Sequence, residues 1–202
     1  LGSPHIDCRQ DGAKLDPSLG RATYLFNATI SGIAQADAIL LIGTNPRLEA
    51  AVLNARIRKR WRQMQGRLPI GLIGEEADLT YTYDYLGAGP ETLTDLVAGK
   101  HSFAEVLKGA EHPLVIVGAG ALSRPDGAAV AALAAKAAIE FGAVKEGWNG
   151  YSVLHTAACD DLSAVAAALA VLDVLRAEAS GPGRRVKLLF TRAEEIGFIG
   201  AV

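Results

Sequence analysis

Cysteine is almost missing from this 202-residue chain: Cys8 and Cys159 stand alone and far apart. No CxxC spacing exists, so neither an iron-sulfur cluster nor a cysteine zinc site is encoded, and the expectation is two reduced cytosolic thiols. An excess of charge of one sign is lacking as well. The formal net charge is -2 and the pI about 6.1, which excludes a global attraction to nucleic acid or anionic lipid. No apolar run approaches the roughly 20 residues that span a bilayer, and no signal peptide opens the sequence. Direct membrane insertion is therefore not expected. The chain does have apolar residues in quantity: 50% hydrophobic against 21% charged is enough for a substantial core in one large or two small domains.

Short apolar runs recur at 38–43 (AILLIG), 70–74 (IGLIG), 114–118 (LVIVG) and 186–190 (VKLLF), with helical stretches between them. Runs of this length and content fit strands buried on both faces, and the intervening helices imply parallel order. The expected fold is α/β: a layered, mostly parallel sheet with helices on both faces. After the first run, Asn45 is placed to cap a helix that begins at Pro46 and continues through NPRLEAAVLNARIRKRW, with Glu49 facing the positive end of the helix dipole. After the third, Ser123 and Asp126 have capping-box spacing ahead of an alanine-rich helix that Gly142 ends. A further helix is expected from Leu162 to about Glu178, capped by Asp161, before SGPG (180–183) breaks the chain.

Four ordered blocks carry a resemblance: LGSPHIDCRQDG, ADAILLIGTNPRLEAAVLNARIRKRW, IGLIGEEADLTYTYDYLGAG and GKHSFAEVLKGAEHPLVIVGAGALSRPDGAAV. Together with GWNGYSVLHTAA they make residues 1–157 resemble the carboxy-terminal part of the large iron-sulfur subunit of NADH:quinone oxidoreductase, respiratory complex I. The resemblance implies a Rossmann-like, molybdopterin-oxidoreductase-like fold without the metal chemistry. It implies no cofactor in this segment, whose role is that of a non-catalytic scaffold supporting respiratory electron transfer. The implied partners are other subunits of the hydrophilic arm. The implied location is the cytoplasmic side of the inner membrane, bound peripherally, or the soluble cytoplasm if isolated.

From Cys159 the pattern changes, and 158–202 is expected to form a separate helix-strand tail. CDDLSAVAAALAVLDVLRAE followed by RVKLLFTRAEEIGFIGA resembles co-catalytic zinc aminopeptidases. That likeness implies Asp160 and Glu195 as zinc ligands and Glu194 as the general base. Two carboxylates do not make a di-zinc centre, which needs several ligands including histidines, so the alternative is a hydrolase fragment inactive as it stands. His5-Ile6-Asp7 has the His-x-Asp form of such enzymes but belongs to the first block. His101, His112 and His155 show no ligand spacing. Leu1 is not an initiator methionine, and the two blocks suggest a piece of a longer polypeptide, recombined or designed.

Four further features have modest readings. GTNPR (43–47) follows a strand and opens a helix, a place where free N–H groups receive phosphate; helix capping by Asn45 and Pro46 explains it adequately and is the preferred reading. Gly118-Ala119-Gly120 lacks the third glycine of a dinucleotide fingerprint, because Ser123 stands there. The basic run Arg56, Arg58, Lys59, Arg60, Arg62 and Arg67, with Trp61 inside it, reads as a solvated helix face or a contact to an acidic neighbour rather than a nucleic-acid site. Tyr81, Tyr83 and Tyr85 alternate as on an extended edge that packs.

Overall fold

Ile39, Leu40 and Leu41 are consecutive, apolar and without solvent exposure. In a strand successive side chains point to opposite faces, so this segment must be covered on both sides. In the computed structural model, which describes residues 12–154, it is (β1, Ala38–Ile42). The order along the chain is α1 (Thr29–Ile33), β1, α2 (Pro46–Glu49), α3 (Ala51–Gln63), β2 (Ile70–Ile73), β3 (Asp84–Gly87), α4 (Pro90–Val97), α5 (Phe103–Lys108) and β4 (Pro113–Gly118). There follow α6 (Ala119–Leu122), α7 (Gly127–Glu140), a small antiparallel pair β5 (Val144–Lys145) and β6 (Trp148–Asn149), and β7 (Tyr151–Leu154).

Five strands form one parallel sheet in the order β3-β2-β1-β4-β7. The chain winds outward from β1 in one direction through β2 and β3, then returns to β4 and β7 on the other side. Alternate residues of the central strands divide the core in two. Leu40, Ile42, Val115 and Val117 pack with Leu93 and Leu96 of α4, Phe103 and Leu107 of α5, and Ala134 and Ala138 of α7. Ile39, Leu41, Leu114 and Ile116 pack with Ile33 of α1 and Leu53 and Ile57 of α3. The sheet is thus layered between helices on both faces, as the apolar runs predicted. Each fully buried aliphatic side chain contributes on the order of 1.5–3 kcal/mol.

Small residues set the spacing. A Cβ on Gly71 would lie 2.8 Å from both Leu86 Cδ1 and Phe103 Cε1, so glycine in β2 lets the Phe103 ring lie against the sheet. At the far edge, the chain before α1 covers β7: Val153 N–H donates to Leu25 C=O at 3.0 Å, and Asn27 Nδ2 donates to Tyr151 C=O at 2.7 Å. An open strand edge invites unwanted pairing, and this cover removes the invitation on one side.

Two of the expected helix starts need correction. The helix predicted to run unbroken from Pro46 is two helices, because Ala50 takes a non-helical conformation (φ -153°, ψ 72°). The break falls directly after Glu49, whose carboxylate is tied back to residues 44 and 45. Ser123 and Asp126 form no capping box: Ser123 Oγ donates to Ala119 C=O, and Asp126 is held by Arg124. Gly142 does end α7, with φ +70°. Gly142 N–H reaches Ile139 C=O at 3.1 Å and Ala143 N–H reaches Ala138 C=O at 2.8 Å, the paired bonds of a Schellman stop. The strand expected at 186–190, the helix expected from Leu162, and Cys8 and Cys159 lie outside the described residues.

Candidate functional site

In open α/β sheets ligands bind beyond the carboxyl ends of the strands, where the strand order reverses. Here that point lies between β1 and β4, and a cleft of about 540 Å³ opens there. Its walls come from the loops after β1 (Gly43, Thr44, Asn45) and β2 (Gly74, Glu75, Glu76) and from α6 directly after β4 (Gly120, Ala121), with Pro90 at the start of α4 on its rim.

Close approach explains the glycines at this rim. A Cβ on Gly118 would fall 2.4 Å from Thr44 Cβ, and one on Gly120 would fall 2.9 Å from Gly43 C=O. Gly43 itself has φ +55° and would drive a Cβ to 2.5 Å from that of Ala121. The loop after β1 therefore packs on the junction of β4 and α6, and the Gly118-Ala119-Gly120 segment serves that contact. Hydrogen bonding tells the same story. Gly43 N–H donates to Ile73 C=O at 2.8 Å and Gly74 N–H to Gly87 C=O at 2.9 Å. Asn45 N–H donates to Glu49 Oε1 at 2.9 Å, and Thr44 Oγ1 to Glu49 Oε2 at 2.6 Å.

Asn45 stands at the predicted cap position, yet its side chain makes no capping bond; the Glu49 carboxylate satisfies the turn instead. Asn45 Oδ1 is left buried without a partner. Arg47, two residues further on, turns away to the Asp78 carboxylate and donates to Asp78 C=O at 2.9 Å. The Thr80 N–H, then Arg47, hold the Asp78 carboxyl below its ordinary range. Charge on the cleft comes from Glu49, Glu75 and Glu76 against Arg124. Arg124 is itself paired with Asp126 at 2.7 and 2.9 Å, a hydrogen-bonded contact that lowers the Asp126 carboxyl.

The sequence pattern of the Molybdopterin oxidoreductase family matches residues 1–196. The chain belongs to that family. Among the curated relatives of this molybdopterin oxidoreductase domain, it is 41% identical over 154 residues to the mitochondrial NADH dehydrogenase (ubiquinone) iron-sulfur protein 1 of Solanum tuberosum, covering 76% of this chain and 20% of the relative. It is 41% identical over 155 residues to an NADH-quinone oxidoreductase subunit of Rickettsia bellii, covering 77% and 22%. The chain thus spans about a fifth of the length of these relatives.

The family's name implies a molybdopterin, a phosphate-bearing group, and the described cleft residues do not fit one. The Gly43 and Gly74 N–H groups are already donated, and carboxylates outnumber the single, paired arginine. Among the described residues no three His, Cys, Asp or Glu side chains gather as metal ligands. His101 Nδ1 accepts from Phe103 N–H at 3.2 Å, and the His112 ring meets Trp148 edge-on. Asp160, Glu194 and Glu195, assigned to zinc chemistry by the hydrolase resemblance, lie outside the described residues, as do His5, Asp7 and His155. The family match runs on past 157 and takes in all three, so the hydrolase resemblance and the picture of a recombined chain gain no support.

The role of Tyr81 was legible only as part of an alternating set. Its hydroxyl donates to Asn54 Oδ1 at 2.8 Å, and Asn54 Nδ2 donates to Leu79 C=O at 3.1 Å. Tyr83 hydroxyl donates to Ala77 C=O at 2.8 Å and Tyr85 hydroxyl to Gly74 C=O at 3.1 Å. All three tyrosines brace the β2–β3 segment, so packing is their role and Tyr85 lies on the edge strand.

Proposed function

We propose that this chain is a non-catalytic α/β segment of the large iron-sulfur subunit of an NADH:quinone oxidoreductase, supporting respiratory electron transfer without carrying electrons itself. The observation that carries this reading is the 41% identity to the Solanum tuberosum iron-sulfur protein over three quarters of the chain. A rim whose glycines pack segment against segment, and whose carboxylates repel phosphate, supports a segment that has kept the family's sheet without a cofactor of its own. Its partners are other subunits of the hydrophilic arm. Its place is peripheral, on the cytoplasmic side of the inner membrane; no helix among the described residues is long and apolar enough to cross a membrane.

Exchanging the aligned segment of a bacterial large iron-sulfur subunit for residues 1–157 tests this. The expected result is an assembled complex that retains NADH:quinone reductase activity and gains no molybdenum. Loss of assembly with a folded exchange segment, or molybdenum bound stoichiometrically to the purified chain, overturns it.

A further inference from the structure

The helix α3 has two faces of opposite character. Leu53, Asn54 and Ile57 point into the core. Arg56, Arg58, Lys59 and Arg62 are exposed, and no ion pair among the described residues involves any of them. Cations three and four residues apart on a helix are neighbours and repel. In a chain of net charge -2, this concentration is local and uncompensated. Between Arg58, Lys59 and Arg62 lies a shallow depression of about 500 Å³. One turn before Arg56 stands Val52, 71% exposed, and the preceding α2 adds Leu48, 81% exposed.

Arg60 of the basic run, and Trp61 within it, are engaged by the chain itself. Arg60 Nε donates to Ala36 C=O at 2.8 Å, and Trp61 Nε1 donates to Thr82 Oγ1 at 3.2 Å. A Cβ on Gly66 would lie 3.2 Å from the Trp61 ring, which therefore rests against that turn. With Trp61 engaged, the face offers cations and aliphatic groups but no ring for base stacking. A helix lying in a membrane surface presents its apolar face outward, whereas that of α3 is in the core. Exposed aliphatic residues beside unpaired arginines have the composition of a protein interface.

We propose that the outer face of α3 docks an acidic protein segment, with Val52 against an apolar side chain and Arg58, Lys59 and Arg62 receiving carboxylates. This deepens the subunit reading by naming the surface that meets a neighbour. It is tested on the whole isolated chain, so that the two readings fail separately.

The probe is a synthetic amphipathic helical peptide carrying glutamates at i, i+4 and i+7 and leucines one turn before them, labelled for fluorescence anisotropy. The expected result is saturable binding that weakens at least tenfold in Arg58→Glu/Lys59→Glu/Arg62→Glu and on raising NaCl. The control Lys100→Glu/Lys136→Glu should bind as the parent does. If the triple reversal does not fold, judged by circular dichroism, Arg58→Gln/Arg62→Gln gives the same reading with a smaller loss. Absence of binding, or binding indifferent to these substitutions, overturns the proposal. Tighter binding of a single-stranded RNA 20-mer or of phosphatidylserine-containing vesicles through the same three residues also overturns it, and assigns the face to nucleic acid or lipid.

Discussion

The Tyr81 hydroxyl donates to Asn54 Oδ1 at 2.8 Å, joining the segment before β3 to the buried face of α3. Both residues are buried. Tyr81→Phe removes the donor and strands the acceptor, which costs about 1–3 kcal/mol. The urea midpoint should fall with an unchanged m-value.

The same burial makes the chain alkali-sensitive. Desolvation pushes the Tyr81 hydroxyl upward, and it pushes Tyr151 from 10.0 to about 12. The folded state keeps these protons after the unfolded state has lost its own, so their contribution to stability is complete below pH 10; that of Tyr151 is lost as pH rises through 12 and that of Tyr81 at still higher pH. Tyrosinate absorbance should therefore show a late phase coincident with loss of the far-ultraviolet signal. Titration of every tyrosine below pH 11 in the folded chain would contradict this.

At the cleft rim, Gly118→Ala places a methyl group into Thr44 and should destabilise by about 1–3 kcal/mol. Gly99 provides the control. It has φ +70° and nothing within 4 Å of a Cβ, so Gly99→Ala should cost only the left-handed penalty of about 1–2 kcal/mol. Thermal melts of the two distinguish crowding from backbone strain: the Gly118 variant alone should shift the amide resonances of Gly43 and Thr44.

Glu49→Ala leaves Thr44 Oγ1 and Asn45 N–H without their acceptor. Hydrogen bonds to a charged group contribute about 1.5–3 kcal/mol each when sheltered, and this half-buried pair should lie at the lower end. The amide of Asn45 should exchange with solvent faster in the variant, while that of Leu40 in the central strand should not.

What was legible in the sequence follows from how local each signal is. The strands β1, β2 and β4 are continuous apolar runs because both faces are covered, and that property needs no knowledge of neighbours. Gly142 was readable as a helix stop for the same local reason. β3 shows in the sequence only as the tyrosine alternation of an extended edge, being half-exposed and beginning with Asp84, and β7 carries no apolar run that marks a strand, since it includes Ser152, whose Oγ accepts from Ala28 N–H at 3.2 Å. The helix α4 carried a usable signal, with Pro90 at its first position and Gly99 beyond its end. In the site, Asn45 and Pro46 marked the turn correctly, but the use of Glu49 in place of the Asn45 side chain depends on rotamers that sequence does not record. The packing of Gly43 on Gly118 and Gly120 depends on two segments far apart in the chain, the loop after β1 and the β4–α6 junction, meeting at the end of the sheet.

The strand order has a consequence for how the chain is made. β1 ends at Ile42, yet its neighbour β4 begins only at Pro113. At a synthesis rate of about 5–20 residues per second, the central strand waits roughly 4 to 14 seconds after its own emergence before the second of its two flanking strands exists. During that interval one side of AILLI can pair only with β2, and its other edge is open to any passing strand. The ribosome therefore releases a nascent chain whose most apolar segment is the one with the longest wait for its last partner, and holdase chaperones should engage it most strongly between the completion of β2 and the appearance of β4.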